Sequence, residues 1–197
     1  MILYLATGNA HKLAELRALL DFPGVEWRGL RDAPGFTAPE EDGGTFAENA
    51  LIKAEALAGF TSCASLADDS GLEVDGLCGA PGVWSARYAG THGNDAANTQ
   101  KVLERMAGRA ERRARFRCAL AFCEFPGRTH IVVGSCEGTL AAAPRGAGGF
   151  GYDPIFIPDG HNQTFGELPA AVKNQLSHRA AAARKAKLAW GKFFPVV

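Results

Sequence analysis

The two longest strand candidates in the chain, residues 115–125 and 129–140, meet at Pro126-Gly127. Runs joined this tightly pair as an antiparallel hairpin, because a parallel pair needs a crossover of about a dozen residues or more. That feature excludes an all-parallel doubly wound sheet, even though strands and helices alternate elsewhere. Residues 2–6 read as a short buried strand. Asn9 then caps a helix with Leu13, Leu16, Leu19 and Leu20 on one face, and Pro23-Gly24 closes that region. A loop rich in Pro, Gly and acids fills residues 31–44. Thr45-Phe46-Ala47-Glu48 is a capping box that opens a helix through about residue 59, with Ala50, Ala54, Leu57 and Ala58 as its apolar stripe. Asn49 and Lys53, four apart, share another face of that helix. Residues 64–67 read as a strand ending in Asp68-Asp69-Ser70-Gly71, and residues 72–77 as a second strand. Residues 79–90 read as loop, 95–106 as helix, 144–153 as a glycine-rich loop, 155–157 as a brief strand and 177–190 as the last helix. The expected fold class is α/β with a mixed sheet.

Composition narrows the class further. The 197 residues carry 21 Lys+Arg and 21 Asp+Glu, with 47% hydrophobic residues. Neither a disordered chain nor a strongly basic nucleic-acid binder has this balance. The neutrality is divided, however: residues 1–100 hold 14 acids and 6 bases, and residues 101–197 hold 7 acids and 15 bases. The 5 cysteines are odd in number and form no C-x-x-C, so neither a disulfide framework nor a zinc site is expected. They read as small apolar core residues in a reducing cytosol. The apolar N-terminus has no basic leader and is too short to span a membrane. No repeat or linker divides the chain. The expectation is a cytoplasmic protein, one domain over 1–197.

Chemistry concentrates in five stretches. Thr7-Gly8-Asn9-Ala10-His11-Lys12 lies between a strand and a helix, where backbone N–H groups bind anions and a glycine lets them approach. Lys12 in the first helical turn opposes the helix dipole, which makes sense if it reaches a phosphate. His11 reads as a solvated helix residue. Glu40-Glu41-Asp42 are hard oxygen donors of the kind magnesium takes one or two of, beside phosphate oxygens. Asp68-Asp69-Ser70-Gly71 follows an apolar strand, and two adjacent acids there call for a cation or a proton. One of them can hold a metal while activating a water, and Ser70 can bond a phosphate oxygen. Residues 146–151 satisfy G-x-G-x-x-G by letter, but no strand precedes and no helix follows, so the dinucleotide reading fails. A loop displaying Phe150, Tyr152 and Asp153 suits a base pocket better. Finally, Ser177 can cap the last helix, which puts His178 and Arg179 in its first turn. No acid follows Glu167, whereas 6 Lys or Arg do.

Together these stretches resemble the inosine triphosphate pyrophosphatase family. The matching pieces are Thr7-Gly8-Asn9 with Lys12; Thr45-Phe46 with Glu48-Asn49-Ala50 and Lys53; Ala67-Asp68-Asp69-Ser70-Gly71-Leu72; Gly79-Ala80-Pro81-Gly82 with Ser85-Ala86-Arg87-Tyr88; Gly148-Gly149-Phe150-Gly151-Tyr152-Asp153-Pro154; and Ser177-His178-Arg179. They occur in family order and nearly span the chain. The resemblance implies an elongated, two-lobed α/β fold around a long curved mixed β-sheet, with an active-site cleft between the lobes. It implies hydrolysis of dITP, ITP and XTP to monophosphate and pyrophosphate, magnesium as cofactor, and a homodimer. It makes Asp69 the general base and a metal ligand, with Glu41 as partner ligand and Glu40 and Asp68 as near alternatives. The segment Thr7, Gly8, Asn9, Ala10, His11 and Lys12, with Lys53 and Ser70, falls on the phosphate side. Phe150, Gly151, Tyr152 and Asp153 fall on the base side, completed by Lys173, His178 and Arg179. Two other readings stand beside it: a non-catalytic nucleotide- or RNA-binding module, and a related pyrophosphatase with another base preference.

Overall fold

The computed structural model describes residues 1–194. Six strands form one sheet in the order β2-β1-β3-β4-β5-β6: β1 Ile2–Leu5, β2 Glu26–Arg28, β3 Ala64–Val74, β4 Arg113–Cys123, β5 Thr129–Leu140 and β6 Phe156–Pro158. β1 pairs parallel with β2 and β3, Leu3 facing Trp27 and Ala64, whereas β5 and β6 pair antiparallel through Thr139 and Ile157. The sheet is therefore mixed, as expected. β4 and β5 are neighbours, and Glu124 N donates to Arg128 O at 2.9 Å across their connection. Among the described residues five α-helices accompany the sheet: α1 Ala10–Leu20, α2 Phe46–Thr61, α3 Asp95–Arg105, α4 Ala170–Leu176 and α5 His178–Trp190.

Local chemistry sets the helix starts. Asn9 Oδ1 accepts from His11 N at 2.9 Å and Lys12 N at 3.1 Å, satisfying two of the donors that a helix N-terminus leaves open. At α2 the capping box is complete: Thr45 Oγ1 accepts from Glu48 N at 3.2 Å and Glu48 Oε2 from Thr45 N at 3.0 Å. The α2 stripe of Ala50, Ala54, Leu57 and Ala58 is buried.

Two expectations need correction, and one helix is additional. Asp68-Asp69-Ser70-Gly71 is no strand end; it lies inside β3, which runs unbroken to Val74. The composition is that of a turn, but β3 is held between β1 and β4, and each acid finds cations on its own face. Gly71 serves close approach rather than a turn, since a Cβ there would meet Gly82 O and Ser85 Cβ at 2.8 Å. The expected second strand over 72–77 is the tail of β3 followed by a 3-10 turn, Asp75–Leu77. The segment before the last helix holds an additional short helix, α4, which carries Lys173.

The chain divides into two compact units. The first comprises Met1–Asp69, Cys118–Gly134 and the segment from Arg179 on; the second comprises Ser70–Arg117 and Ser135–His178. In the first, Leu3, Leu5 and Leu66 pack with Leu16 and Leu20 of α1, Phe122 of β4 and Ala182, Ala186 and Trp190 of α5. Each fully buried Leu of this core contributes roughly 1.5–3 kcal/mol. In the second, Leu72, Val74, Val102, Met106, Phe116, Phe156 and Phe165 form a core of their own. Cys118, Cys123 and Cys136 are buried as expected; Cys78 is exposed. Among the described residues no helix is long and apolar enough to cross a membrane.

Candidate active site

The site in the first unit is built on β3. Successive strand residues point to opposite faces, so Asp68 shares a face with Leu66 and Asp69 with Ser65. Leu66 packs with α1 and α5. On the opposite face Ser65 Oγ donates to Ala54 O of α2 at 2.5 Å. The two adjacent acids thus meet different helices.

Asp68 meets cations. Its Oδ2 lies 3.1 Å from Lys12 Nζ and 3.4 Å from Arg179 Nε, and Arg179 Nη1 also donates to Glu15. Burial by itself would raise the Asp68 carboxyl, but Lys12, Arg179 and Lys53 outweigh it and hold it well below the usual carboxylate range. Burial opposes the Arg179 charge in the same way, and Asp68 and Glu15 outweigh it. Asp68 is therefore locked as an anion, which makes it a poor proton acceptor.

Asp69 meets α2. Lys53 Nζ sits 3.0 Å from Asp69 Oδ1 and 3.2 Å from Glu41 Oε1, so two carboxylates converge on one cationic point. Asn49 Nδ2 donates to the other oxygen, Oδ2, at 3.4 Å. Burial raises the proton affinity of Asp69 and Glu41 adds to it, against Lys53 and Lys12. Lys53 stays an ammonium, since Asp69, Asp68 and Glu41 outweigh the cost of its burial. Of the acidic triplet it is Glu41 that reaches this point; Glu40 and Asp42 are exposed. The anion segment lies at the N-terminus of α1. Thr7 Oγ1 accepts from Asn9 N at 3.2 Å, and Gly8, Asn9, Ala10 and His11 are exposed.

The donor set fits a hard divalent cation. Glu41 and Asp69 already face one positive charge through carboxylate oxygens, which is the chemistry magnesium selects. Among the described residues no group of three or more His, Cys, Asp or Glu is arranged to hold a metal. Magnesium commonly takes only one or two carboxylates and completes its shell with water and phosphate oxygens.

The glycine-rich loop lies in the second unit and is organised by Asp153. Its buried Oδ2 accepts from Phe150 N at 2.8 Å and Lys173 Nζ at 2.6 Å. Lys173 in turn places its ammonium 4.5 Å from the centre of the Phe150 ring, within cation–π range. Gly149 has φ +72, and a Cβ on it would strike the Asp153 carboxylate, so glycine is required there. Gly151 is held from α3: its N–H donates to Asp95 Oδ2 at 2.6 Å, and its C=O accepts from Thr99 Oγ1 at 3.3 Å. Phe150 is half-buried and offers an aromatic face.

Tyr152 is not displayed as expected. It is 4% exposed within the core, and its hydroxyl donates to Ser85 O at 2.8 Å. An apolar ring with one polar tip fills a core slot well once the tip finds a buried carbonyl. Asp153 likewise braces the loop from within. His178 is buried and stacks on Phe116 with ring centres 4.7 Å apart. Ser70 is half-buried on β3 directly after Asp69. Sequence reasoning grouped Arg179 with Lys173 and His178, yet Arg179 sits against Asp68 and Glu15. It gave no role to Glu15, Asp95, Thr99 or Ser85, and none to Asn49 beyond its helix face. For Glu15 a signal was present: it lies three residues from Lys12, on the same face of α1.

Known proteins share this framework. The family model described as the Ham1 family matches residues 3–189. The dITP/XTP pyrophosphatase of Desulforamulus reducens is 51% identical over 188 residues, covering 94% of each chain. The dITP/XTP pyrophosphatase of Bacillus subtilis is 48% identical over 185 residues and 92% of each. The solved structure of a HAM1 protein from Coxiella burnetii matches with a TM-score of 0.89 at 40% identity, covering 98% of this chain and 99% of that one.

Proposed function

The chain belongs to the Ham1 family, and we infer that it acts as its relatives are named: it hydrolyses non-standard purine nucleoside triphosphates such as dITP and XTP to the monophosphate and pyrophosphate. The observation that carries the chemistry is the convergence of Glu41, Lys53 and Asp69, with Asn49 on the remaining Asp69 oxygen.

Each residue then has a task. Glu41 and Asp69 would hold magnesium, which when bound supplies charge neutralisation for the phosphates. Asp69, whose burial and Glu41 raise its proton affinity, accepts a proton from the attacking water. Asp68 stays charged and keeps Lys12 at the start of α1, where the Lys12 ammonium meets phosphate oxygens. Lys53 neutralises the departing pyrophosphate. On the base side Phe150 stacks on the purine. Hypoxanthine and xanthine carry an oxygen acceptor where adenine carries an amino donor. Fixed donors facing that position reject adenine by up to roughly 10⁴-fold, which shape alone does not achieve. The protein is taken to be cytoplasmic and homodimeric, without direct contact to nucleic acid or membrane. Free cysteines suit the first part, and light scattering tests the second.

The test is pyrophosphate release with magnesium from dITP, XTP, dATP, dGTP and dTTP. Turnover concentrated on dITP and XTP is expected. Binding without turnover would favour the non-catalytic module, and preference for dTTP would favour a relative with another base specificity.

A further inference from the structure

Asn49 uses both ends of its carboxamide while fully buried on α2. Oδ1 accepts from Gly43 N at 2.8 Å, and Nδ2 donates to Asp69 Oδ2 at 3.4 Å. Gly43 stands two residues after Glu41. A Cβ at Gly43 would lie 2.7 Å from Asn49 Oδ1 and 2.8 Å from Glu48 Cβ, so the loop reaches the amide only as glycine. One turn away, Lys53 ties Asp69 Oδ1 to Glu41 Oε1. The acidic loop and β3 are thus braced twice from one face of α2, once by an ammonium and once by a neutral amide. Helix stability does not explain that amide. Alanine has the higher helix propensity and would suit a position beside Ala50 and Ala54, whereas a buried Asn is tolerated only when its bonds are made.

We infer that Asn49 is a positioning residue for the hydrolysis: it fixes the orientation of the Asp69 carboxylate and its separation from the Glu41 loop. The inference rests on the reading of Asp69 as the residue that acts on water. An amide NH₂ can only donate, so it holds Oδ2 as an acceptor and, with Lys53 on Oδ1, restricts the rotation of the carboxylate. Near-attack geometry is demanding, and a displacement of about 1 Å can cost on the order of 10²-fold in rate. Because Asn49 acts through Asp69 and a loop backbone, its loss lowers kcat and leaves KM for the triphosphate nearly unchanged.

The experiment compares wild type, Asp69→Asn, Asn49→Asp, Asn49→Leu and Gly43→Ala. Four quantities are read: kcat and KM for dITP, melting temperature, and hydrogen exchange of the Gly43 amide by NMR. Asn49→Asp keeps the acceptor for Gly43 N but sets a like charge against Asp69. It should keep Gly43 protected while kcat falls about 100-fold, with KM within about 3-fold. Asn49→Leu should lose Gly43 protection and kcat together. Gly43→Ala perturbs the brace from the loop side and should lower kcat about 10-fold or more when assayed well below its own melting temperature. Wild-type kcat in Asn49→Asp or Gly43→Ala, beside an inactive Asp69→Asn, overturns this inference alone. So does a loss carried by KM. Absence of dITP turnover in the wild type overturns the functional reading and this inference with it.

Discussion

Replacing Arg179 with Met tests how the acid pair is held. The guanidinium and its partner Asp68 are almost sealed from water, with side chains 3% and 0% exposed. Methionine keeps much of the volume but leaves Asp68 a buried anion with Lys12 as its nearest cation, at 3.1 Å. Breaking a buried pair from one side costs about 3–5 kcal/mol, and the remaining lysine argues for the lower end, about 3 kcal/mol. At about 2–4 °C per kcal/mol for a chain of this size, the melting temperature should fall by about 6–12 °C. Calorimetry or circular dichroism reads this directly. Adding Asp68→Asn removes the stranded charge, so the double variant should lose no further stability, with a coupling of at least about 1 kcal/mol between the sites. A melting temperature within about 2 °C of wild type for Arg179→Met, or strictly additive losses, would refute the reasoning.

Four further outcomes follow from the same geometry. Since Lys12, Arg179 and Lys53 depress the Asp68 carboxyl against its burial, its stabilising contribution is full above the unfolded value of about 4. It disappears as pH falls through the lower folded value, so urea midpoints should drop on acidification below about pH 4, and less so in Asp68→Asn. Phe150→Ala should raise KM for every purine triphosphate while kcat changes little; unchanged steady-state kinetics would mean the ring does not stack on the base. Burial pushes the Cys136 thiol up to about 12, with Asp159 and Glu137 adding to the shift, and it pushes Cys118 up as well. Mass spectrometry after iodoacetamide at pH 8 should find Cys78 labelled in the native protein and Cys118 and Cys136 only after unfolding. In ¹⁸O-water the label should enter the monophosphate, as attack at the α-phosphorus requires; label in pyrophosphate would displace the site of attack.

Much of the fold was legible because it is written locally. The capping box at Thr45, the Asn9 cap and the alanine stripe of α2 are short-range signals, and the tight connection at Pro126-Gly127 set β4 and β5 side by side. The Asp68-Asp69-Ser70-Gly71 segment was misread because turn composition outweighs strand pattern until partners are known. Its place between β1 and β4 keeps it extended, and its acids are compensated by Lys12 and Arg179 on one face and Asn49 and Lys53 on the other, contributed by three helices. Lys53 and Asp69 could be singled out by residue type, but their meeting with Glu41 is a tertiary fact. The pairing of Arg179 with Glu15 spans 164 positions and leaves no trace in spacing. Tyr152 shows the opposite failure: an aromatic beside glycines looks displayed, and its burial is decided by the distant Ser85 carbonyl.

The most direct measurement is pyrophosphate release from dITP by Asp69→Asn beside wild type, with magnesium and matched melting curves. Asparagine preserves the shape and, with its oxygen on Lys53, that contact, while giving up the one from Asn49, and it cannot accept the proton of the attacking water. The expected result is a folded protein whose kcat has fallen by about 10³-fold or more. A folded Asp69→Asn that turns over dITP within about 10-fold of wild type would contradict the assignment of water activation to Asp69.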